Sequence, residues 1–309
     1  MRRIALAALA ALAPAAAFAG AASTGAQVLR RPLTARAAAL GGALTASAGI
    51  DGFGVNPAGL AALRRPEAVS TFNSGVADDA FGFLGGAAPV KGAVAAAGIT
   101  YYDAGSVDIV ALDGAQSTVR AERDYLGTAG GAVPLGAGLS VGALAKVYRF
   151  TLADAASASG FAADAGVQWA APVRGLRLGA SVQNAGPGVK FESASDPLPL
   201  TERAGLAWTL ETRPADAAGT YYSDTRLTLS ADQVQVRGDA ATLAAAGEFA
   251  LDVGAATSLA VRLGWVFGSP TDGISFGVGV RERRFVADYA LAAKKDLGDV
   301  HFVSLGVRF

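Results

Sequence analysis

Three times in its last 37 residues, from Gly273 to Phe309, the chain alternates apolar with polar or small positions. In the final run Val303, Leu305, Val307 and Phe309 fall on one side, and Ser304, Gly306 and Arg308 on the other. Upstream, Ile274, Phe276, Val278 and Val280 alternate with Ser275, Gly277, Gly279 and Arg281; Phe285, Ala287, Tyr289 and Leu291 alternate with Val286, Asp288 and Ala290. A period of two is that of a strand whose two faces meet different surroundings. In a soluble sandwich the polar face looks out to water. In a closed membrane barrel the apolar face meets lipid, the polar face meets the lumen, and a terminal aromatic marks the last strand for assembly. The terminal Phe309 favours the barrel.

The same reading predicts strands near 67–76, 80–88, 91–102, 106–112, 117–133, 137–150, 158–171, 174–184, 202–212, 223–236, 242–254, 256–268, 273–281, 283–294 and 299–309. Gly85-Gly86, Pro89, Asp113-Gly114, Pro134-Leu135-Gly136 and the run Pro172 to Gly175 supply turn chemistry between them. Single-chain bacterial barrels take even strand numbers, so the expectation is fourteen, with 106–112 as the loop. Longer loops are expected around Thr151–Gly160, Gly186–Glu202 and Thr212–Thr225. Trp169, Trp208 and Trp265 lie on the apolar sides of their strands, near strand ends, and with Phe309 are the expected lipid-interface anchors. The opposite faces carry Lys146, Asp164, Gln168, Arg177, Gln183 and Asp232, then Glu248, Asp252, Arg262, Arg281, Asp288 and Arg308. The last six are expected to form a lumen network, because charges inside a barrel are costly unless paired. The alternative is that some of them line a route for polar solutes.

The other end of the chain sets the compartment. Arg2 and Arg3, an Ala- and Leu-rich run, and Ala17-Phe18-Ala19 read as a secretory signal peptide over 1–19, cut after Ala19. Without Cys there is neither a lipobox nor a disulfide, and 26 basic residues balance 26 acidic ones, so no footprint for nucleic acid appears. Mean hydropathy is positive, yet no later run is long enough to span a bilayer as a helix, as a lipid-facing barrel would require. The expected organisation is the signal peptide, a compact segment over 20–66, and an outer-membrane barrel over 67–309. Asn56-Pro57 breaks regular structure and Ala58 to Leu63 is suited to a short helical turn behind it. Such a segment suits a hatch inside the lumen; the alternative is a leader lying outside the barrel.

Arg36-Ala-Ala-Ala-Leu-Gly-Gly-Ala43, then Asp51, then Asn56-Pro-Ala-Gly-Leu-Ala61 resembles the N-terminal signature of the PorV/PorQ family, outer-membrane barrels related to the FadL fatty-acid channels. Val182-Gln-Asn-Ala-Gly186, Pro197-Leu-Pro-Leu200 with Arg203-Ala-Gly205, Gly247-Glu-Phe249, Leu259 to Trp265, and Asp288-Tyr-Ala290 are similar to family landmarks in family order. The resemblance implies a hatch motif at Asn56, Pro57 and Ala58, with Val55 standing where the family has an aromatic. It also implies either a conduit for small hydrophobic or amphipathic compounds or, as in type IX secretion, a barrel that binds secreted cargo proteins. Expected partners are outer-membrane lipids, the barrel-assembly machinery through the C-terminal strand, and either such a ligand or such a cargo.

Catalysis finds little support. A lipid hydrolase of the outer membrane needs a Ser and a His together, but His301 and Ser304, three apart on one strand, face opposite ways. No Gly-x-Ser-x-Gly elbow, calcium loop or zinc spacing occurs, so neither a catalytic site nor a metal or other cofactor is expected.

Overall fold

The computed structural model describes residues 26–75, 79–110, 114, 116–192, 195–212, 224–253, 256–295 and 298–309. The expected signal peptide, residues 20–25 and most of the loop after Thr212 lie outside them. In chain order the strands are β1 (Glu67–Ser74), β2 (Ala80–Val90), β3 (Ala93–Asp103), β4 (Ser106–Val110), β5 (Gln116–Arg120), β6 (Glu122–Gly136), β7 (Leu139–Leu152), β8 (Ala156–Ala170) and β9 (Leu176–Ala185). There follow β10 (Val189–Lys190), β11 (Ser195–Asp196), β12 (Thr201–Thr212), β13 (Thr225–Val236), β14 (Thr242–Val253), β15 (Thr257–Phe267), β16 (Asp272–Glu282), β17 (Phe285–Lys294) and β18 (Gly298–Arg308).

Fourteen of them form a closed antiparallel barrel, a transmembrane fold; β4 with β5 and β10 with β11 are separate two-stranded ribbons. Closure runs through β1, which pairs with β2 on one side and with β18 on the other, from Glu67 opposite Arg308 to Ser74 opposite His301. The rim holding Glu67 and Arg308, here the lower rim, carries two-residue turns such as Lys91-Gly92 and Ala137-Gly138, with positive φ at all four residues, as type I′ hairpins need. The upper rim carries the connections that hold the β4–β5 and β10–β11 ribbons, whereas Thr212 and Thr225, which bound the connection between β12 and β13, pair at the lower rim.

Two expectations change. The stretch near 106–112 is a strand, but β4 pairs with β5 outside the wall, and the single strand expected at 117–133 is two, broken at Ala121. The loop expected over Thr151–Gly160 is a three-residue turn, Ala153 to Ala155, in which Ala153 and Asp154 adopt φ of 50° and 54°. Ala-Asp is an unusual occupant of a left-handed turn, which usually announces itself with Asn or Gly.

On the outside, Ile99, Val147, Phe161, Val261 and Leu305 are each more than half exposed, while their sequence neighbours face in. An eleven-residue strand is about 36 Å long, and at the usual tilt it spans a hydrocarbon band of about 25 Å. Inside, the wall has two halves. From β1 to β8 the inward residues include Phe81, Phe83, Leu144, Tyr148 and Phe150, all packed in one apolar cluster with Phe53, Leu60 and Leu63 from the N-terminal segment. Phe53 and Phe83 meet edge to face with ring centroids 5.6 Å apart. From β12 to β18 the inward face carries Arg203, Asp232, Glu248, Arg262 and Asp288, with a small apolar patch of Ala290, Val300 and Phe302 beside them.

Val261→Arg, at mid-strand on the outer face, is expected to cost about 2–4 kcal/mol, and Leu243→Arg at the upper edge about 1 kcal/mol or less. Urea titration of vesicle-folded protein measures both; equal costs would contradict an apolar belt of this depth.

Candidate functional site

Residues 26–66 thread the lumen, and their local chemistry explains how. Thr34 caps a short helix, α1 (Ala35–Ala39), by accepting a bond from the Ala37 amide. The helix ends in a Schellman motif: the Gly42 amide donates to the Ala37 carbonyl at 2.9 Å, the Gly41 amide to Ala38 at 3.1 Å, and Gly41 takes the left-handed φ of 57°. Its alanines let the helix press against the wall. A Cβ added at Gly277 would lie 2.4 Å from Ala39 Cβ, and one at Gly264 would lie 2.5 Å from the Leu40 carbonyl carbon. Val55, at the position where an aromatic was expected, packs with Ala37, Leu40 and Leu44.

Asn56 does the same work across the lumen. Its side-chain oxygen caps the 3₁₀ turn Pro57–Ala62 by accepting from the Ala58 amide at 3.1 Å, and Pro57 occupies the first position, where no amide is needed. Its amide nitrogen donates to the Thr45 carbonyl at 2.8 Å and shares its second proton between the wall carbonyls of Val167 and Ala180 at 3.1 and 3.3 Å. The wall is hollowed by glycine to admit it: a Cβ at Gly166 would sit 1.9 Å from Asn56 Oδ1, and one at Gly142 would sit 2.4 Å from the Pro57 carbonyl carbon. Ala58 is buried in that hollow, and its carbonyl accepts from Ser140 at 3.3 Å.

Other wall side chains satisfy the remaining backbone of the segment. Gln168 donates to Thr45 and Ser47, Ser181 to Val55, and Gln183 to Gly54, at 2.8 to 3.0 Å. Asp232 accepts from both the amide and the hydroxyl of Thr45, at 2.8 and 2.6 Å. Sequence placed Gln168, Gln183 and Asp232 in the lumen without showing what they hold.

The expected charge network falls into three groups. Glu248 receives Arg262 at 2.6 Å, and Arg262 also reaches Asp288 at 2.6 Å. Asp252 lies between Arg226 and Arg281, at 3.1 and 3.4 Å, and Arg308 pairs with Glu67 at 3.1 Å. The residue that joins the first group to the luminal segment is Arg36. It grips Glu248 with two bonds, at 2.7 and 2.9 Å, and Asp51 with a third at 2.6 Å. Burial opposes the Arg36 charge, but Glu248 and Asp51 outweigh it and hold its pKa well above the ordinary value. A single Arg in an alanine run was the available signal.

Trp208, Trp265 and Phe309 are exposed on the outer face, and Trp169 is half-exposed there; Trp169 and Trp208 donate to carbonyls of lower-rim turns, Ala137 and Arg174, at 3.3 Å each. His301 lies outside, against Tyr289, and Ser304 lies inside, bonded to Thr71 and to the Ala35 amide. Among the described residues, no three His, Asp or Glu converge as a metal site.

Among the described residues, the segment has a chamber on either side of it. The upper, about 940 Å³, is bordered by upper-rim turns and by Asn73, Tyr102, Arg203 and Phe302. The lower, about 270 Å³, is lined by the Arg36 network together with Glu67, Arg226 and Arg281. An apolar hollow of about 480 Å³ on the outer wall backs onto the lower chamber, and Ala68, Val286 and Gly306 line both.

No family profile matches the chain, and no curated protein does. Solved structures do. The Pseudomonas putida toluene transporter TodX matches with a TM-score of 0.58 at 12% identity, covering 89% of this chain and 98% of that one. The Ralstonia pickettii toluene transporter TbuX gives 0.55 at 12%, covering 91% and 99%. A Pseudomonas aeruginosa FadL homologue gives 0.51 at 12%, covering 89% and 98%. What is shared is the fold.

Gly166→Val is expected to lower stability by about 1–3 kcal/mol through overpacking and to open the luminal segment to protease. Gly82→Ala, where an added Cβ meets nothing within 4 Å, is the control and should change neither. Glu248→Gln, which leaves two guanidinium groups facing each other, should cost about 3 kcal/mol in urea titrations; a neutral result would remove Arg36 from the anchoring role.

Proposed function

We propose that the chain is an outer-membrane conduit of the FadL-like type, passing small hydrophobic or amphipathic molecules through a lumen partitioned by residues 26–66. The observation that carries this reading is the pair of chambers on either side of a segment that pairs with no wall strand. Side-chain anchors and apolar packing hold it, so it can shift without breaking the barrel's backbone ladder. The likeness to proteins described as toluene transporters supports the same reading. The two-residue turns at 91–92, 137–138 and 283–284 and both ends of the barrel share the lower rim, together with the longer connection after Thr212; that rim is assigned to the periplasm, where outer-membrane barrels carry their short turns, and the large chamber then opens outward. Lipid surrounds the belt, and the C-terminal strand is the segment offered to the assembly machinery.

A second reading is a PorV/PorQ-type barrel that binds secreted proteins. It is favoured by the β4–β5 ribbon, which projects from the upper rim with Val107, Ile109 and Val110 exposed.

The test uses N-phenyl-1-naphthylamine, a hydrophobic dye that intact lipopolysaccharide excludes. Cells displaying the chain should take it up faster than cells without it. Ala35→Cys with Ser304→Cys, a pair placed where the Ala35 amide lies 2.8 Å from Ser304 Oγ, should slow entry when oxidised and restore it when reduced. Entry no faster than in empty cells would end the conduit reading.

A further inference from the structure

Asn73 is an oddity of the upper chamber. It sits on β1 with its side chain turned inward, 1% exposed, and among the described residues neither its amide nitrogen nor its oxygen has a hydrogen-bond partner. A buried amide left unpaired is expensive, so its presence in a chamber wall needs a reason. Across the β1–β18 seam its neighbour is Phe302, which with Val300 packs on the small residues of α1 and gives the chamber an apolar floor. Asp79, from the turn just beyond β1, adds a carboxylate oxygen that also has no partner.

The cations around the chamber are already engaged. Arg31 pairs with Asp79 and lies over Tyr102, 4.1 Å from the ring centroid. Arg30 pairs with Asp239 at 2.7 Å, and Lys294 pairs with Asp272. Arg203 is held by Gln183 and by the Gly42 carbonyl, both at 3.0 Å. An anionic ligand would have to break one of these pairs and would meet Asp79. A hydrocarbon would leave the Asn73 amide unpaired. A neutral molecule with an apolar body and a group that both donates and accepts a hydrogen bond meets the amide on both sides and leaves every ion pair intact.

We infer that the upper chamber is a binding site selective for neutral, hydroxyl-bearing apolar molecules, with Asn73 as the polar anchor over the Phe302 floor. The inference rests on the conduit reading and narrows its substrate class from hydrocarbons in general to their neutral hydroxylated relatives.

The experiment compares naphthalene, 2-naphthol and 2-naphthoate at pH 7, binding each to the full chain in lipid nanodiscs and subtracting empty discs. 2-Naphthol should bind on the order of tenfold more tightly than naphthalene, the discrimination expected when a site's buried polar group is otherwise left unpaired. 2-Naphthoate should bind no better than naphthalene. Asn73→Leu should abolish the preference by weakening 2-naphthol and not naphthalene, and Asn73→Ser should leave an intermediate preference. A wild-type chain that binds 2-naphthol and naphthalene equally, or a preference that survives Asn73→Leu, overturns the inference. Should Asn73→Leu fail to fold, the wild-type ranking and the Asn73→Ser variant decide. If none of the three binds while N-phenyl-1-naphthylamine still enters cells, the site is refuted and the conduit stands; if dye entry fails as well, the conduit falls with it.

Discussion

Irregular backbone enclosed in a barrel has no water to turn to, so each of its amides and carbonyls must find a partner in the segment or in the wall. That requirement shapes the interior. The carbonyls of Thr45, Ser47, Gly54 and Val55 are taken up by Gln168, Ser181 and Gln183, and the Thr45 amide by Asp232. Asn56 serves both sides at once, capping its own turn and binding two wall carbonyls. Such contact needs the backbones close together, and that explains the glycines at 142, 166, 264 and 277 more fully than strand propensity, which disfavours them.

The two halves of the lumen divide the labour. In the half lined by Phe81, Phe83 and Phe150 a packed apolar cluster fixes one flank of the segment as a core would, with the buried Lys146–Asp164 pair set beside it. The half from β12 to β18 holds its flank of the segment with the Arg36 ion pairs and with Ala290, Val300 and Phe302 against the helix, and borders both chambers. Both kinds of contact are costly to break, the one because it opens a packed core and the other because it leaves a buried charge unpaired.

The barrel was legible because lipid outside and charge inside are opposites that a two-residue period separates. In the run from Leu259 to Phe267, the alternate apolar residues are outside and Arg262 is inside, as the pattern says. Alternation identifies two faces without naming them when both are apolar. Ala80-Phe81-Gly82-Phe83-Leu84 puts its two Phe inward and Leu84 outward, because residues inside the lumen supply a second oily surface. Arg36 and Asp51 were visible as members of an N-terminal signature, but the bond from Arg36 to Glu248 spans 212 positions, and no local pattern carries it. The β4–β5 ribbon misled the strand boundaries for a simpler reason: its residues have strand composition, and only the wall's closure excludes them.

Under the conduit reading proposed above, selectivity is a question about the inward face of the wall. Here the wall and the anchoring of the segment leave few positions free to vary, since most inward polar groups are committed to backbone or to ion pairs. Specificity must then come from inward residues without such a commitment, and those that border a chamber are the ones a passing molecule meets. Asn73 is uncommitted, buried and on the chamber that opens at the upper rim, and Asp79, paired with Arg31 through one oxygen, has its other oxygen free among the described residues. Changing such a position alters what the chamber accepts while the Asn56 and Arg36 anchors, on which the partition depends, stay as they are.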